Sequence, residues 1–333
     1  MWTGPGLSVE NGIKTEQITE KHDRKQEKKG ELSVIHISEL TKNFDDICAV
    51  NHITLDIPDG EMFGLLGTNG AGKTTLLRIL AGILEADSGE IQIDGEEDLF
   101  CPSCRKQFFY LPDDPYYFPN ASMNSMIRLY GNHYPDMDGE EAQYMAETLN
   151  LDTMRPLRTF SKGMKRQAFL IMALCSGTKY LLCDEVFDGL DPIVTEVMKN
   201  LFKKAMEQRN FTVIMASHKL GDLEDLCGNI AILHKGGVVT AGDLRERAEH
   251  VRKFQCVFPD QTNLDRLKND PRVLRVRQVE NFITLTVTDG TEEIVREIRS
   301  LGPLFMKEIP LSLEETFIAK MEDTGYDIRK VLQ

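Results

Sequence analysis

The octapeptide Gly67-Thr68-Asn69-Gly70-Ala71-Gly72-Lys73-Thr74 constrains this chain more than any other stretch. It matches G-x-x-x-x-G-K-[ST] at every fixed position. Its neighbours are of the right kind: Met62-Phe63-Gly64-Leu65-Leu66 reads as a buried strand before it, and Leu76, Leu80, Ile83 and Leu84 recur at helical spacing after it. In such a strand, loop and helix, the glycines let backbone N–H groups turn inward around phosphates, Lys73 neutralises β/γ oxygens and the Thr74 hydroxyl can ligate Mg²⁺. The expected nucleotide-binding set is Gly67, Thr68, Asn69, Gly70, Ala71, Gly72, Lys73, Thr74 and the Thr75 that follows.

Around this loop the apolar pattern is that of an α/β core. Tyr180 to Cys183 and Phe211 to Ala216 are short apolar strands separated by a helical stretch from Pro192 to Glu207, the alternation of a parallel sheet. Val34, Ile35 and Ile37, then Ile53, Leu55 and Ile57, then Ile91 and Ile93 form β-type runs of an antiparallel subdomain. Residues from Pro119 to Arg158 are rich in helix formers and Met, which predicts a helical insertion. Residues 1–31 are dense in interleaved charges, most of all Lys21 to Lys29, and read as a disordered tail. Beyond Gly242 the pattern predicts β-α-β-β-α-β: Phe254 to Phe258, Leu264 to Leu267, Val273 to Val279, Phe282 to Val287, Glu292 to Leu301 and Leu304 to Ile309. That is the order of a ferredoxin-like split unit. Ser312 with Glu315 is a capping box opening a last helix through Met321.

The bulk numbers limit the partners. A chain of 333 residues with 41% hydrophobic and 28% charged residues suits one large domain and a smaller one. A net charge of −14, from 39 basic and 53 acidic residues, opposes any broad attraction to nucleic acid or an anionic bilayer, so a phosphate site must be local. Seven scattered cysteines without a secretory leader read as reduced thiols in the cytoplasm. Cys101 and Cys104 form a lone C-x-x-C with no second pair or His in register, so two ordinary thiols on a loop are expected rather than a metal centre. The best apolar run, Ala168 to Cys175, is less than half of the roughly 18 to 20 residues that span a bilayer. A membrane role would need a span from another chain.

Further polar residues fall where the sheet order can use them. Asp184 and Glu185 end the strand from Tyr180, where ligand-facing residues of α/β sheets sit. Asp184 is placed to hold Mg²⁺ and Glu185 to polarise an attacking water. Gly189-Leu190-Asp191-Pro192 turns into the next helix, with Asp191 as its cap and Pro192 at the first position. His218 follows the strand ending at Ala216, where an imidazole could donate to charge developing on the γ-phosphate. Ser161 and Gly163, in Phe160-Ser161-Lys162-Gly163-Met164, stand shortly before a helix and can offer a hydroxyl and backbone N–H groups to a second nucleotide.

This set, from about Leu32 to Gly242, resembles the nucleotide-binding domain of ATP-binding-cassette (ABC) proteins. The resemblance implies a P-loop α/β fold with a mixed sheet core, an antiparallel β subdomain and a helical subdomain at about 119–160, followed by a small α+β domain over 243–333. It implies ATP and Mg²⁺ as ligands, and a head-to-tail pair of subunits, either a homodimer or two different chains, in which Ser161 and Gly163 complete the partner's site. By the same resemblance Asp191 links the two sites, His218 is the switch histidine, and Phe44 stacks on adenine. The family's signature is usually Leu-Ser-Gly-Gly-Gln, whereas Phe160, Lys162 and Met164 stand here. The Ser-Lys-Gly-Met-Lys form and Leu313-Glu314-Glu315-Thr316-Phe317 resemble the ABC-2 type exporter ATPases, in which a separate permease crosses the membrane and the ATPase lies peripherally on its cytoplasmic face.

Asp113, in Tyr110-Leu111-Pro112-Asp113, stands where the family places a glutamine that touches Mg²⁺. Two like charges about 4 Å apart repel by roughly 4 kcal/mol at an effective dielectric near 20, so Asp113 must sit on the metal, take a proton or point away. It is expected as a further Mg²⁺ ligand. A non-transport ABC ATPase acting on ribosomes or DNA is the competing reading. Such proteins usually join two cassettes or carry coiled coils or zinc modules, and this acidic chain has one cassette and neither addition. A pseudoenzyme would lack Lys73 or Glu185, and both are present.

Overall fold

The computed structural model describes residues 34–96, 101–243, 251–259, 267, 270, 272–288 and 292–310. The expected tail over 1–31, the helix opened by Ser312, and all of the helix near Leu264 except Leu267 lie outside those residues.

Three sheets organise the described chain. The first is antiparallel, with β1 (Val34–Phe44) between β2 (Ile47–Pro58) and β4 (Ser88–Ile93). The second has six strands in the order β5 (Phe108–Leu111), β6 (Tyr180–Asp184), β7 (Thr212–Ser217), β3 (Met62–Leu66), β8 (Asn229–His234) and β9 (Gly237–Asp243). All its pairings are parallel except that of β8 with β9. Every residue of β3, β6 and β7 is buried, as strands covered on both faces must be.

One face of this sheet packs with the antiparallel sheet and α1 (Lys73–Leu80) around Ile35, Ile53, Leu65, Leu76 and Leu80. The other is covered by a helical layer: α3 (Met123–Gly131), α4 (Gly139–Thr148), α5 (Lys162–Leu174) and α6 (Pro192–Gln208), which follow the four-residue α2 (Pro102–Arg105). A short α7 (Leu220–Leu223) follows β7. The strands β5, β8 and β9 were not among those expected from the pattern. They complete the sheet on its two flanks.

Two local features differ from the sequence reading. The helix after the phosphate loop stops at Leu80 and does not continue to Leu84. Gly82 takes φ +63°, and the N–H groups of Ile83 and Leu84 both return to the Arg78 carbonyl, a left-handed helix stop that leaves Ile83 55% exposed. Cys101 is not on a plain loop: its Sγ accepts from the Cys104 N–H at 3.2 Å and caps α2.

The third sheet has the order β11 (Val273–Val279), β12 (Phe282–Thr288), β10 (Val251–Val257), β13 (Phe305–Ile309), with all neighbours antiparallel. The hairpin partner β12 therefore inserts between β10 and β11, the split that a β-α-β-β-α-β order produces. Its core joins Phe254, Leu267 and Leu285 to Ile294 and Ile298 of α8 (Glu292–Ser300).

Phe202 on α6 is fully buried and meets Phe187 edge to face at 5.9 Å. Phe202→Ala should lower stability by about 3–5 kcal/mol in urea unfolding with an unchanged denaturant slope. A loss under about 1 kcal/mol would mean that α6 is not held through this contact.

Candidate nucleotide site

The parallel register brings three strand ends together. Leu66 pairs with Ser217, and Asp184 with Ala216, so Gly67, Glu185 and His218 emerge as neighbours. Backbone bonds extend the pairing past the strands, from Gly67 N–H to Ser217 O at 3.3 Å and from Glu185 N–H to Ala216 O at 3.0 Å.

An open cavity of about 370 Å³ lies at this edge. Asn69 through Thr75, Asp113, Asp184 and Glu185 line it, joined by Ile47 and Ala49 from β2. Gly72 has φ +99°, and a Cβ there would lie 2.3 Å from the Ala49 carbonyl, so no other residue fits without moving β2. Lys73 is buried and donates to the carbonyls of Gly67 at 2.6 Å and Thr68 at 3.2 Å. Its ammonium also stands 3.3 Å from Glu185 Oε1.

Asp184 is buried at the end of β6. Tyr110 O–H donates to its Oδ2 at 3.4 Å, the Thr74 hydroxyl lies near enough to this carboxyl to favour its charged form, and Oδ1 has no hydrogen-bond partner. Burial pushes its pKa above the usual carboxylate range, and the neighbouring Glu185 charge adds to this against the opposing effect of Thr74. A hard divalent cation fits such a group. It would take the orphaned oxygen and favour the ionised form, with Thr74 as a second oxygen ligand.

Glu185 is the only one of these residues besides the loop glycines with left-handed backbone, φ +51°. That conformation costs a non-glycine residue on the order of 1–3 kcal/mol and is sustained by the contacts at both ends of its peptide. Its N–H is bonded to β7, and its carbonyl accepts from Arg166 of α5. Its side-chain Oε2 accepts from the His218 ring at 2.8 Å and from the His218 backbone N–H at 3.3 Å. A carboxylate only accepts, so the ring proton of this bond resides on Nδ1.

Arg166 was not expected from the motif. Its side chain is 5% exposed, and its other terminal nitrogen pairs with the Asp113 carboxylate. The sequence reading allowed Asp113 three choices, on the metal, protonated or turned away. The structure adds a fourth, a counter-charge to a buried guanidinium, which removes the repulsion problem while keeping Asp113 on the cavity wall. A signal was available in Arg166 itself, a cation four residues past the Lys162 that opens a helix otherwise apolar from Ala168 onward.

The remaining expected residues stand outside the cavity lining. Ser161 is the exposed N-cap of α5, its Oγ accepting from Met164 N–H at 3.2 Å, with Gly163 in the first turn. Asp191 caps α6 through Val194 N–H at 2.9 Å, with Pro192 in the first turn. Phe44 is 43% exposed beside the β1–β2 turn, and Ile47, not Phe44, lines the cavity from that hairpin. Lys162, standing where the family has glycine, lies 4.0 Å from Asp188, which also accepts from Lys219 at 3.0 Å.

Known proteins resemble this chain in sequence and fold. The ABC transporter family model matches residues 50–188. The ABC transporter ATP-binding protein YtrB of Bacillus subtilis is 31% identical over 288 residues, covering 86% of this chain and 98% of that relative. The bacitracin transport ATP-binding protein BcrA of Bacillus licheniformis is 30% identical over 233 residues, or 67% of this chain and 75% of that protein. A solved ATP binding subunit of an ABC transporter superposes with a TM-score of 0.59 at 25% identity, over 65% of this chain and 92% of that one. With the phosphate loop, the acidic strand end and the helical layer in the places described, this chain belongs to the ATP-binding proteins of ABC transporters.

Proposed function

We propose that this chain hydrolyses ATP as one of two paired nucleotide-binding subunits, and that the pairing cycle drives a separate transmembrane permease in the export direction. The carrying observation is the Glu185 carboxylate, held by the His218 Nδ1–H at the mouth of the phosphate loop. So fixed, it can orient a water toward the γ-phosphate and accept its proton. With Nδ1–H committed to Glu185, donation to phosphate charge falls to Nε2 of the imidazolium. Lys73 would exchange the Gly67 and Thr68 carbonyls for phosphate oxygens, which form stronger, charge-assisted bonds. Thr74 and Asp184 would hold Mg²⁺, with Asp113 as a further oxygen; the metal, when bound, neutralises phosphate charge.

The paired arrangement is supported by where Ser161, Gly163 and Asp191 lie. None lines the cavity of its own chain. Ser161 keeps its O–H proton to donate outward from the N-terminus of a 13-residue helix, a suitable anion site for a nucleotide carried by a second copy. Phe44 would meet adenine from the hairpin that also supplies Ile47. No helix among the described residues is long and apolar enough to cross a membrane, so the permease would be another chain, with this one peripheral on the cytoplasmic side. Exposed Tyr116, Phe118, Tyr144 and Met154, in and beside the helical layer, supply apolar surface for that contact. Export rests on the Ser-Lys-Gly-Met-Lys signature and its resemblance to ABC-2 type exporters.

Glu185→Gln should bind ATP, lose roughly 10²–10⁴-fold in turnover, and accumulate as a dimer in size-exclusion chromatography with light scattering. A variant that stays monomeric with ATP, even with permease present, would sink the paired mechanism. Arg166→Met, which releases the Glu185 carbonyl, should cost about tenfold or more in kcat while ATP affinity changes less than about threefold. Equal losses in both would instead indicate damage to the nucleotide pocket. Asp113→Gln should raise the Mg²⁺ concentration for half-maximal turnover; an unchanged Mg²⁺ dependence would remove Asp113 from the metal's ligands.

A further inference from the structure

The sheet of the C-terminal region has one face on α8, and among the described residues no element packs on the other, open face. Alternation sends Phe254, Val276 and Leu285 to the packed face. On the open face the strand register builds rows that cross all four strands. One row is Arg275, Thr286, Lys253 and Ile309; the next is Arg277, Thr284, Gln255 and Lys307. Four cations thus share eight neighbouring positions with no carboxylate among them, in a chain whose net charge is −14.

Three other arginines of this region are neutralised by acids. Arg252 pairs with Glu308 at 2.6 Å, Arg272 with Asp270 at 2.6 Å and Glu297 at 2.8 Å, and Arg296 with Glu292 at 3.0 Å. Among the described residues Arg275 and Arg277 make no ion pair. Between them and Lys253 opens a recess of about 70 Å³, floored by the Thr284 and Thr286 side chains. It is about a fifth of the nucleotide cavity, which suits one small anionic group and not a whole nucleotide.

We propose that this recess binds a single phosphate-type oxyanion, either a free phosphate group or the headgroup of an anionic lipid. Arg275, Arg277 and Lys253 supply the charge, and the two threonine hydroxyls supply neutral donors of the kind that complete an oxyanion's shell. The guanidinium forks suit the planar pairs of oxygens that a phosphate presents. The lipid source is included because the next row on the same face is apolar: Val279, Phe282 and Phe305 are exposed, the two rings edge to face at 6.4 Å. A long polyanion fits less well, since it needs a track of cations and a less acidic chain.

The test uses the full chain with its phosphate loop saturated by ADP and Mg²⁺, so that only other sites respond. Inorganic phosphate is titrated by calorimetry, and flotation is measured on vesicles of phosphatidylglycerol against phosphatidylcholine. The expected result is binding in at least one arm that the double variant Arg275→Gln/Arg277→Gln weakens by about tenfold or more, with ADP affinity unaltered. Phosphate binding identifies a soluble source; flotation with phosphatidylglycerol alone identifies a headgroup. Both arginines are exposed, so this variant should keep the wild-type unfolding midpoint, and Arg275→Lys/Arg277→Lys should retain part of the binding. No binding in either arm, binding that the double variant leaves intact, or binding only to an RNA oligonucleotide with affinity rising with its length would overturn the proposal.

Discussion

The in-register parallel pairing of β6, β7 and β3 is the constraint on which the nucleotide site depends. These strands are buried on both faces, so they exclude polar side chains from their length and collect them at their ends. Because Asp184 lies beside Ala216 and Leu66 beside Ser217, the phosphate loop, the acidic pair and His218 leave the sheet in one layer. A slip of one residue in β6 would turn Asp184 to the other face of the sheet and take Glu185 away from His218. The apolar interior therefore sets the geometry of the polar edge.

A second dependence runs through Arg166. A guanidinium removed from water needs acceptors and an opposite charge, and here Glu185 supplies a carbonyl and Asp113 the carboxylate. This accounts for an acid at position 113 in physical terms, since a neutral amide there would leave the buried cation without a counter-charge. It also joins three parts of the chain. The helix that carries Ser161 at its outward end grips, through Arg166, the residue after β6 and the loop after β5. Movement of α5 would thus be felt at the Glu185 peptide, whose left-handed conformation has little freedom to absorb it.

The parts of the site that were legible in the sequence are those built from contiguous residues. Gly67 to Thr75 carries its own loop geometry, and Asp184, Glu185 and His218 follow apolar runs long enough to be recognised as buried strands. The three rows on the open face of the C-terminal sheet were not legible, because Arg275, Thr286 and Lys253 become neighbours only through the residue register of β11, β12 and β10, which the strand order does not specify. The same holds for Ile47, whose place on the cavity wall depends on β2 folding back over the phosphate loop. Helix length was misjudged after the loop because Ile83 and Leu84 keep helical spacing, while the conformation of Gly82 lets the chain turn off one residue earlier.

By itself, the sequence determined the phosphate loop, the α/β alternation and the split order of the C-terminal strands, since each is written in local spacing that backbone sterics and side-chain periodicity translate directly; the family followed from the likeness of its motifs to those of known proteins. Tertiary structure alone decided that Asp113 neutralises Arg166, that His218 Nδ1 is spent on Glu185, and that four cations gather in two neighbouring rows facing away from α8. Those outcomes rest on distances between residues 33 to 53 positions apart or on different strands, and only the packing that buries the sheet brings such residues within reach of one another's charge.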